Sequence, residues 1–308
     1  MPDSPEISVV VPVRNEEATV AELERQLRKA LPPSHEILFV DDGSTDGTWE
    51  ALAAIHDPGR VRLVRLRAPS GKSAALMAGF GWARAPVIFT LDGDLQDDPA
   101  EIPAFLQALG EGYDLVSGWK KVRHDPLHKV VASRVFNFVM RHGTGIALHD
   151  MNCGFKCYRA EVVKSLRIYG DQHRFIPVFA AHQGYRVGEV QVRHRPRRHG
   201  RSKYGLSRLV KGFLDLGTVL LRTRYRDRPA HAFGFTAIAC LAAGIVVWAV
   251  AASPLLPARV SMAALSAAVG LGLGALILLV CGWLAELLLD RTATDRNACV
   301  PAVGETRE

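Results

Sequence analysis

Residues 7–13 (ISVVVPV) form an unbroken apolar, β-branched run, the pattern of a strand buried on both faces. After Asn15-Glu16-Glu17 the period changes. Val20, Leu23, Leu27 and Leu31 recur at helical spacing, which predicts an amphipathic helix stopped by Pro32-Pro33. Residues 37–40, 61–66 and 87–91 read as three further buried strands, with a helix-like segment over 73–83. Residues 115–117 suggest a fifth strand, 126–145 a basic helix, and 187–192 an alternating strand. This succession predicts an α/β domain: a mostly parallel sheet with helices on both faces. Such sheets bind ligands beyond the carboxyl ends of their strands. Three polar clusters fall at that edge, after Val13, Val40 and Leu91.

Beyond about residue 228 the texture changes. Residues 232–252 and 260–285 contain no Asp, Glu, Lys, Arg or His. At about 1.5 Å per residue, each run is long enough to cross a hydrocarbon core of about 30 Å. The link between them, residues 253–259, holds Pro254 and Pro257 and is short enough to force a hairpin. Upstream, residues 203–223 place apolar side chains at helical spacing with cations opposite, as in a helix lying in a membrane interface. The expected organisation is a catalytic domain over 1–200, a basic juxtamembrane segment over 201–229, two transmembrane helices within 230–290, and a polar tail over 291–308 without regular structure.

Charge sharpens this division. The net charge is +7, and the stretch from Arg193 to Arg228 carries twelve Lys or Arg against two acids, Asp215 and Asp227. A basic block just before an apolar span favours anionic lipid headgroups. No nucleic-acid module is recognisable, so no nucleic-acid partner is expected. Arg222, Arg224, Arg226 and Arg228 precede the first span, and the positive-inside rule puts them, with the N-terminal domain, in the cytosol. Arg259, in the opposite loop, counts against this assignment. Five cysteines make no disulfide framework in a chain of this length, and reduced thiols are expected. The opening MPDSPEIS is acidic and is not a secretory signal. Gly270, Gly272 and Gly274 would let the spans pack against copies of themselves.

The sharpest chemical signal is Asp92-Gly93-Asp94 at a strand end. Two carboxylates separated by Gly make a hard-oxygen site for Mg²⁺ or Mn²⁺, completed by a nucleotide diphosphate. Gln96 could add an amide oxygen. Asp41 and Asp42 also follow a strand, where a carboxylate can accept hydrogen bonds from a base or ribose. Asp46 is expected to cap the next helix. Ser70-Gly71-Lys72-Ser73 is not a P-loop, because Leu66 stands where that motif needs Gly. Lys72 remains able to reach a phosphate.

PVRNE (12–16), VDDGSTDGT (40–48), LDGDLQDDP (91–99), DMNCGFK (150–156) and RRHGRSKYG (197–205) occur in this order. Together they resemble the inverting family-2 glycosyltransferases of the polyprenyl-phosphate type, such as dolichol-phosphate mannose synthases and bacterial undecaprenyl-phosphate glucosyltransferases. The Arg-x-x-Gly-x-Ser-Lys motif before a membrane hairpin narrows the resemblance to that branch. It implies a GT-A (Rossmann-like) fold followed by interfacial amphipathic helices and a two-helix transmembrane hairpin, in a cell inner membrane. It further implies that Pro12, Arg14, Glu16, Asp41 and Asp42 contact the donor nucleotide, and that Asp92, Asp94 and Gln96 hold the metal and diphosphate. Arg197 and Lys203 would close over the donor phosphates. Lys120, Lys129 and Ser133 would hold the acceptor phosphate, and Asp150 would face the reacting sugar. Lys120 and Lys129 stand where some members carry Arg, giving a point charge in place of a bidentate fork.

The implied reaction moves a hexose from a nucleotide-sugar of the UDP-glucose or GDP-mannose type to a polyprenyl phosphate. A phosphomonoester is already anionic near neutral pH, its second pKa being about 6, so a strong general base is not needed. Asp150 is therefore assigned positioning first and base chemistry second. Two other readings compete. A processive polysaccharide synthase would carry Gln-x-x-Arg-Trp, but Gln183-Gly184-Tyr185-Arg186 is followed by Val187. A membrane-tethered nucleotide-binding scaffold would not need the intact acidic pair.

Overall fold

The computed structural model describes residues 4–121, 137–195, 207–253 and 257–298. The chain divides into two compact units, Met1–Val219 and Leu220–Glu308.

Among the described residues, the first unit is built on seven strands: β1 (Ile7–Val13), β2 (His35–Asp41), β3 (Val61–Arg65), β4 (Val87–Thr90), β5 (Leu115–Trp119), β6 (Lys156–Arg159) and β7 (Val187–Gln191). They form one sheet in the order β3-β2-β1-β4-β6-β5-β7. Every pairing is parallel except those of β6, which runs antiparallel to both β4 and β5. The helices are α1 (Val20–Ala30), α2 (Thr48–Ala54), α3 (Lys72–Trp82), α4 (Ile102–Gly110), α5 (137–144), α6 (Ala160–Ser165), α7 (Ile176–His182) and α8 (Ser207–Arg222). Single 3₁₀ turns lead into α4 at Pro99–Glu101 and into α7 at Gln172–Phe175.

The period-2 alternation of β1 sorts its side chains onto two faces. Val9, Val11 and Val13 join Phe39, Phe89, Leu23 and Leu27 of α1, and Phe105 of α4 in one buried cluster. The rings of Phe89 and Phe105 meet edge to face at 5.9 Å. On the other face α3 packs against β1 and β2, with Ala75, Leu76 and Phe80 buried. Each Leu or Phe buried this completely contributes about 1.5–3 kcal/mol relative to exposure.

The strands expected at residues 7–13, 61–66 and 87–91 are present to within one residue. β2 begins at His35, two residues before the expected start. Glu36, in the extension of the strand, is fully buried. Its carboxylate accepts from Ser8 Oγ at 2.6 Å, Arg62 Nη1 at 2.9 Å and the Arg84 backbone N–H at 2.8 Å. Burial alone would raise its pKa, but these donors hold it below the ordinary carboxylate value. α2 is the helix expected after Asp46, whereas the short helices α4, α6 and α7 were not expected, since six to nine residues show little period.

The second unit contains α9 (Pro229–Ala251) and α10 (Ala258–Ala298). Pro229–Ala251 and Ala258–Leu288 are long and apolar enough to cross a membrane. The two pack antiparallel: Gly282, late in α10, lies against Ala230 and Phe233 early in α9, and Gly244 lies against Ala268 and Leu271. Phe235, Ile238, Trp248, Leu276, Ile277 and Trp283 remain exposed, which suits lipid contact. α10 continues to Ala298, so residues 291–298, expected to lack regular structure, are helical.

Candidate active site

Parallel pairing puts the carboxyl ends of β1, β2, β3 and β4 on one edge of the sheet. β5 and β7 end there too, while antiparallel β6 brings its amino end, with Lys156 opposite Thr90. The expected clusters after Val13, Val40 and Leu91 thus converge with two segments whose position the sequence did not reveal: 150–156, and 192–195 after β7.

The first two loops are stitched together. Asn15, at φ 56°, donates its N–H to Ser44 Oγ at 3.0 Å and accepts from the Thr45 N–H at 2.9 Å. The Glu16 N–H reaches Thr48 Oγ1 at 2.9 Å. Asp41 accepts from the Ser44 N–H and hydroxyl and pairs with Arg65. Asp42 accepts from the backbone N–H groups of Ser70 and Gly71 at 2.6 and 3.0 Å, so it fixes the turn ahead of α3. Both carboxylates expected to meet the donor therefore have resident partners, and each retains further lone pairs. Asp46 accepts from the Thr48 N–H and hydroxyl, so it holds the first turn of α2 from one position before the N-cap, which is Gly47 rather than the expected Asp46. Pro12 is half-buried near the end of β1, and Arg14, just beyond that strand, is exposed.

Asp92 and Asp94 follow β4. Gly93 lies where any Cβ would come within 2.8 Å of Val13 Cγ1 and 3.6 Å of Glu16 Cγ, which places Glu16 beside the acidic pair. Asp94 is buried, and its Oδ1 accepts the Gln96 N–H at 3.2 Å. The turn between them forces Leu95 to φ 61°, a left-handed conformation of the kind that gathers at functional sites. Asp92 is half-buried and its Oδ1 is in close contact with Lys72 Nζ, from the first residue of α3. Burial would raise the Asp92 pKa, but Lys72, with Lys120 and His173 assisting, holds it far below the ordinary carboxylate range.

Gln96 ties the site to the segment after β7. Its carbonyl accepts the Arg195 N–H at 2.9 Å, and its amide nitrogen donates to Arg195 O at 3.4 Å. Asp97 and His194 form an adjacent antiparallel bridge. Arg195 also pairs with Asp98 and reaches Gln26 at 3.0 Å. Arg197, two positions further on, lies outside the described residues, as do Lys129, Ser133 and Lys203.

Lys120, expected at the acceptor phosphate, is largely buried, with its Nζ 2.6 Å from Asp97 Oδ1. Burial opposes its charge, but Asp97 outweighs it and raises the pKa. An acceptor role requires Lys120 to share its three donors between Asp97 and a phosphate. Asp150 is buried and accepts the Asn152 N–H at 3.2 Å. Asn137 of α5 donates to the adjoining His149 carbonyl at 2.9 Å, so this backbone is held from two sides.

Four residues of the site were not singled out from sequence. Gly154 faces Asp92 without room for a side chain. Lys156 is buried, donates to Cys153 O, and has its pKa lowered chiefly by burial. Asp97 holds Lys120. The His173 ring Nδ1 lies 3.2 Å from Ser73 Oγ, and the His173 backbone N–H donates to that oxygen at 3.0 Å. Burial first, then Lys72 and Arg174, push the His173 pKa well below 6.5. Asp97, Gly154 and Lys156 lie inside motifs already noted. His173 had no sequence signal. Cys153 is buried, and its thiol is pushed up to about 12 by burial, so it is unreactive.

Among the described residues, no three His, Cys, Asp or Glu side chains gather as a metal site. Asp92 and Asp94 make a two-carboxylate set, which fits a Mg²⁺ or Mn²⁺ that draws its other ligands from substrate phosphate and water.

Residues 8–167 match the profile of the family described as Glycosyl transferase family 2. The chain is 41% identical over 238 residues to a dodecaprenyl-phosphate galacturonate synthase of Rhizobium johnstonii, covering 74% of this chain and 70% of that protein. It is 38% identical over 225 residues to an undecaprenyl-phosphate 4-deoxy-4-formamido-L-arabinose transferase of Pseudomonas aeruginosa, covering 71% of this chain and 66% of that protein. Among solved structures it resembles glucosyl-3-phosphoglycerate synthase from Mycobacterium tuberculosis in complex with Mn²⁺, uridine diphosphate and glucosyl-3-phosphoglycerate. The TM-score is 0.56 at 22% identity, over 71% of this chain and 79% of that one.

Proposed function

From the premise that this chain belongs to glycosyl transferase family 2, and is a glycosyltransferase, we propose that it transfers one sugar from a nucleotide-sugar to a polyprenyl phosphate. The observation that carries this reading is the convergence at one sheet edge of Asp92, Asp94, Lys72 and the 150–156 loop, in a chain that also carries two apolar helices long enough to span a bilayer. The named relatives act on dodecaprenyl or undecaprenyl phosphate, which supports the same acceptor class here.

The residues divide the work. A divalent cation held by Asp92 and Asp94, with Gln96 beside them, would neutralise charge on the departing nucleoside diphosphate. Lys72 adds a second positive charge at that place, and Arg197 and Lys203 complete the basic cover over the donor phosphates. Pro12, Arg14, Glu16, Asp41 and Asp42 line the nucleotide end. The lipid phosphate attacks the anomeric carbon as the bond to the diphosphate breaks, so one displacement inverts that centre. Asp150, fixed by Asn152 and the Asn137-held backbone, orients the sugar and needs to take no proton, because the nucleophile is already ionised. Lys120, Lys129 and Ser133 receive the acceptor phosphate. The basic stretch from Arg193 to Arg228 favours an anionic membrane surface and a cytosolic active site.

The sugar is open among the nucleotide forms of glucose, mannose, galacturonate and 4-deoxy-4-formamido-L-arabinose. The test is to offer each, radiolabelled, to membranes containing the chain, with polyprenyl phosphate and Mg²⁺ or Mn²⁺. One donor should label an organic-extractable lipid. Label entering only a polymer, or only water-soluble products, contradicts the reading.

A further inference from the structure

We infer that Lys72 is an exchangeable cation: its ammonium occupies Asp92 while the site lacks metal, and moves to the donor diphosphate when a divalent ion takes that carboxylate. This rests on the reading of Asp92 and Asp94 as the metal pair, and adds to it an order of events.

The geometry forces the conflict. Lys72 Nζ and a metal ion both seek the Asp92 carboxylate, and Lys72 already contacts Oδ1. The carboxylate cannot swing away freely, because Gly154 closes one side, with its virtual Cβ 2.6–2.7 Å from the Asp92 carboxylate atoms. Asp94 is buried and tied to the Gln96 N–H. An ammonium and a divalent ion sharing one carboxylate would repel each other, so Lys72 would leave Asp92 if that carboxylate held a divalent ion.

The lysine has somewhere to go. Its backbone is the first residue of α3, on a turn whose N–H groups are fixed by Asp42. Ser73, next in sequence, is fully buried and bonded to the ring and the N–H of His173. The base of the lysine is therefore rigid while its four-carbon stem remains free to pivot. The side chain is 30% exposed, enough to leave Asp92 without passing through the core. A nucleoside diphosphate arriving with the metal offers new anionic oxygens at the same sheet edge, where the α3 N-terminus also favours negative charge. The +1 charge then remains in the site but changes partner, from enzyme carboxylate to leaving group.

The test is Mn²⁺ binding to the detergent-solubilised full chain, followed by the electron spin resonance signal of free Mn²⁺, first without nucleotide. Lys72→Met removes the competitor, so Mn²⁺ should bind about tenfold tighter than to the unmodified chain. Lys72→Gln should shift in the same direction. In an Asp92→Asn background, Lys72→Met should change Mn²⁺ affinity less than twofold, because the shared carboxylate is gone. With Mn²⁺ present, UDP and GDP are then titrated, and whichever binds the unmodified chain should bind Lys72→Met more weakly. Equal or weaker Mn²⁺ binding in both Lys72 variants overturns the exchange and leaves Lys72 as a fixed partner of Asp92. These measurements involve no turnover. Lipid product with a negative Mn²⁺ result removes only the exchange, and the converse removes only the acceptor assignment.

Discussion

Gly154 lies so close to Asp92 that a methyl group on it would sit 2.6 Å from Asp92 Oδ1. The 150–156 loop, brought to this edge by antiparallel β6, thus forms one wall of the acidic site. Gly154→Ala should push the Asp92 carboxylate aside and cut transfer roughly ten- to hundredfold, as small misplacements of catalytic groups do. Mn²⁺ affinity should fall with it, while the unfolding temperature changes little. Unchanged Mn²⁺ binding and rate would mean that the wall is not needed.

Asp94→Asn should reduce transfer about 10²- to 10³-fold and leave the protein folded. The asparagine carbonyl can still accept the Gln96 N–H that Asp94 Oδ1 receives, so the turn at Leu95 survives. Near-normal turnover with an intact circular dichroism spectrum would remove Asp94 from the metal site.

Asp46→Ala separates capping from catalysis. The lost bonds to Thr48 should lower stability by about 1 kcal/mol, read as a shift in denaturation midpoint, with transfer kinetics unaltered. A change in donor KM without loss of stability would instead assign Asp46 to the nucleotide.

His173 sets a pH dependence with a definite sign. Its folded pKa is lowered well below 6.5, so below about pH 6.5 the unfolded chain takes up a proton that the folded chain refuses. The contribution is flat above that value, and stability declines as pH falls from 6.5 towards the folded pKa. His173→Gln, which can still hydrogen-bond Ser73, should make the unfolding temperature fall less steeply between pH 7 and pH 5. An identical slope in both proteins would contradict the burial assigned to His173.

Much of this site can be read from the chain alone, for a physical reason. Fully buried parallel strands need continuous apolar runs, so β1 and β4 announce themselves, and with them the edge where Asp92 and Asp94 must lie. β6 does not, because KCYR alternates too briefly and begins with a lysine whose burial depends on the Cys153 carbonyl. The same limit hid Glu36, which is buried only because Ser8, Arg62 and Arg84 come from distant positions to meet it. Lys120 shows the converse. Its charge is legible, but its partner Asp97 is a matter of tertiary geometry. His173 lies a hundred residues from Ser73, and no local pattern could join them.

The most direct measurement is the mass of the product formed by the purified chain from its labelled donor, polyprenyl phosphate and Mn²⁺. The proposed reaction predicts a single lipid product equal to the polyprenyl phosphate plus one sugar residue, with one nucleoside diphosphate released per molecule formed. A lipid carrying several sugars, retention of phosphate from the donor on the lipid, or hydrolysis to free sugar with the lipid unchanged would contradict it.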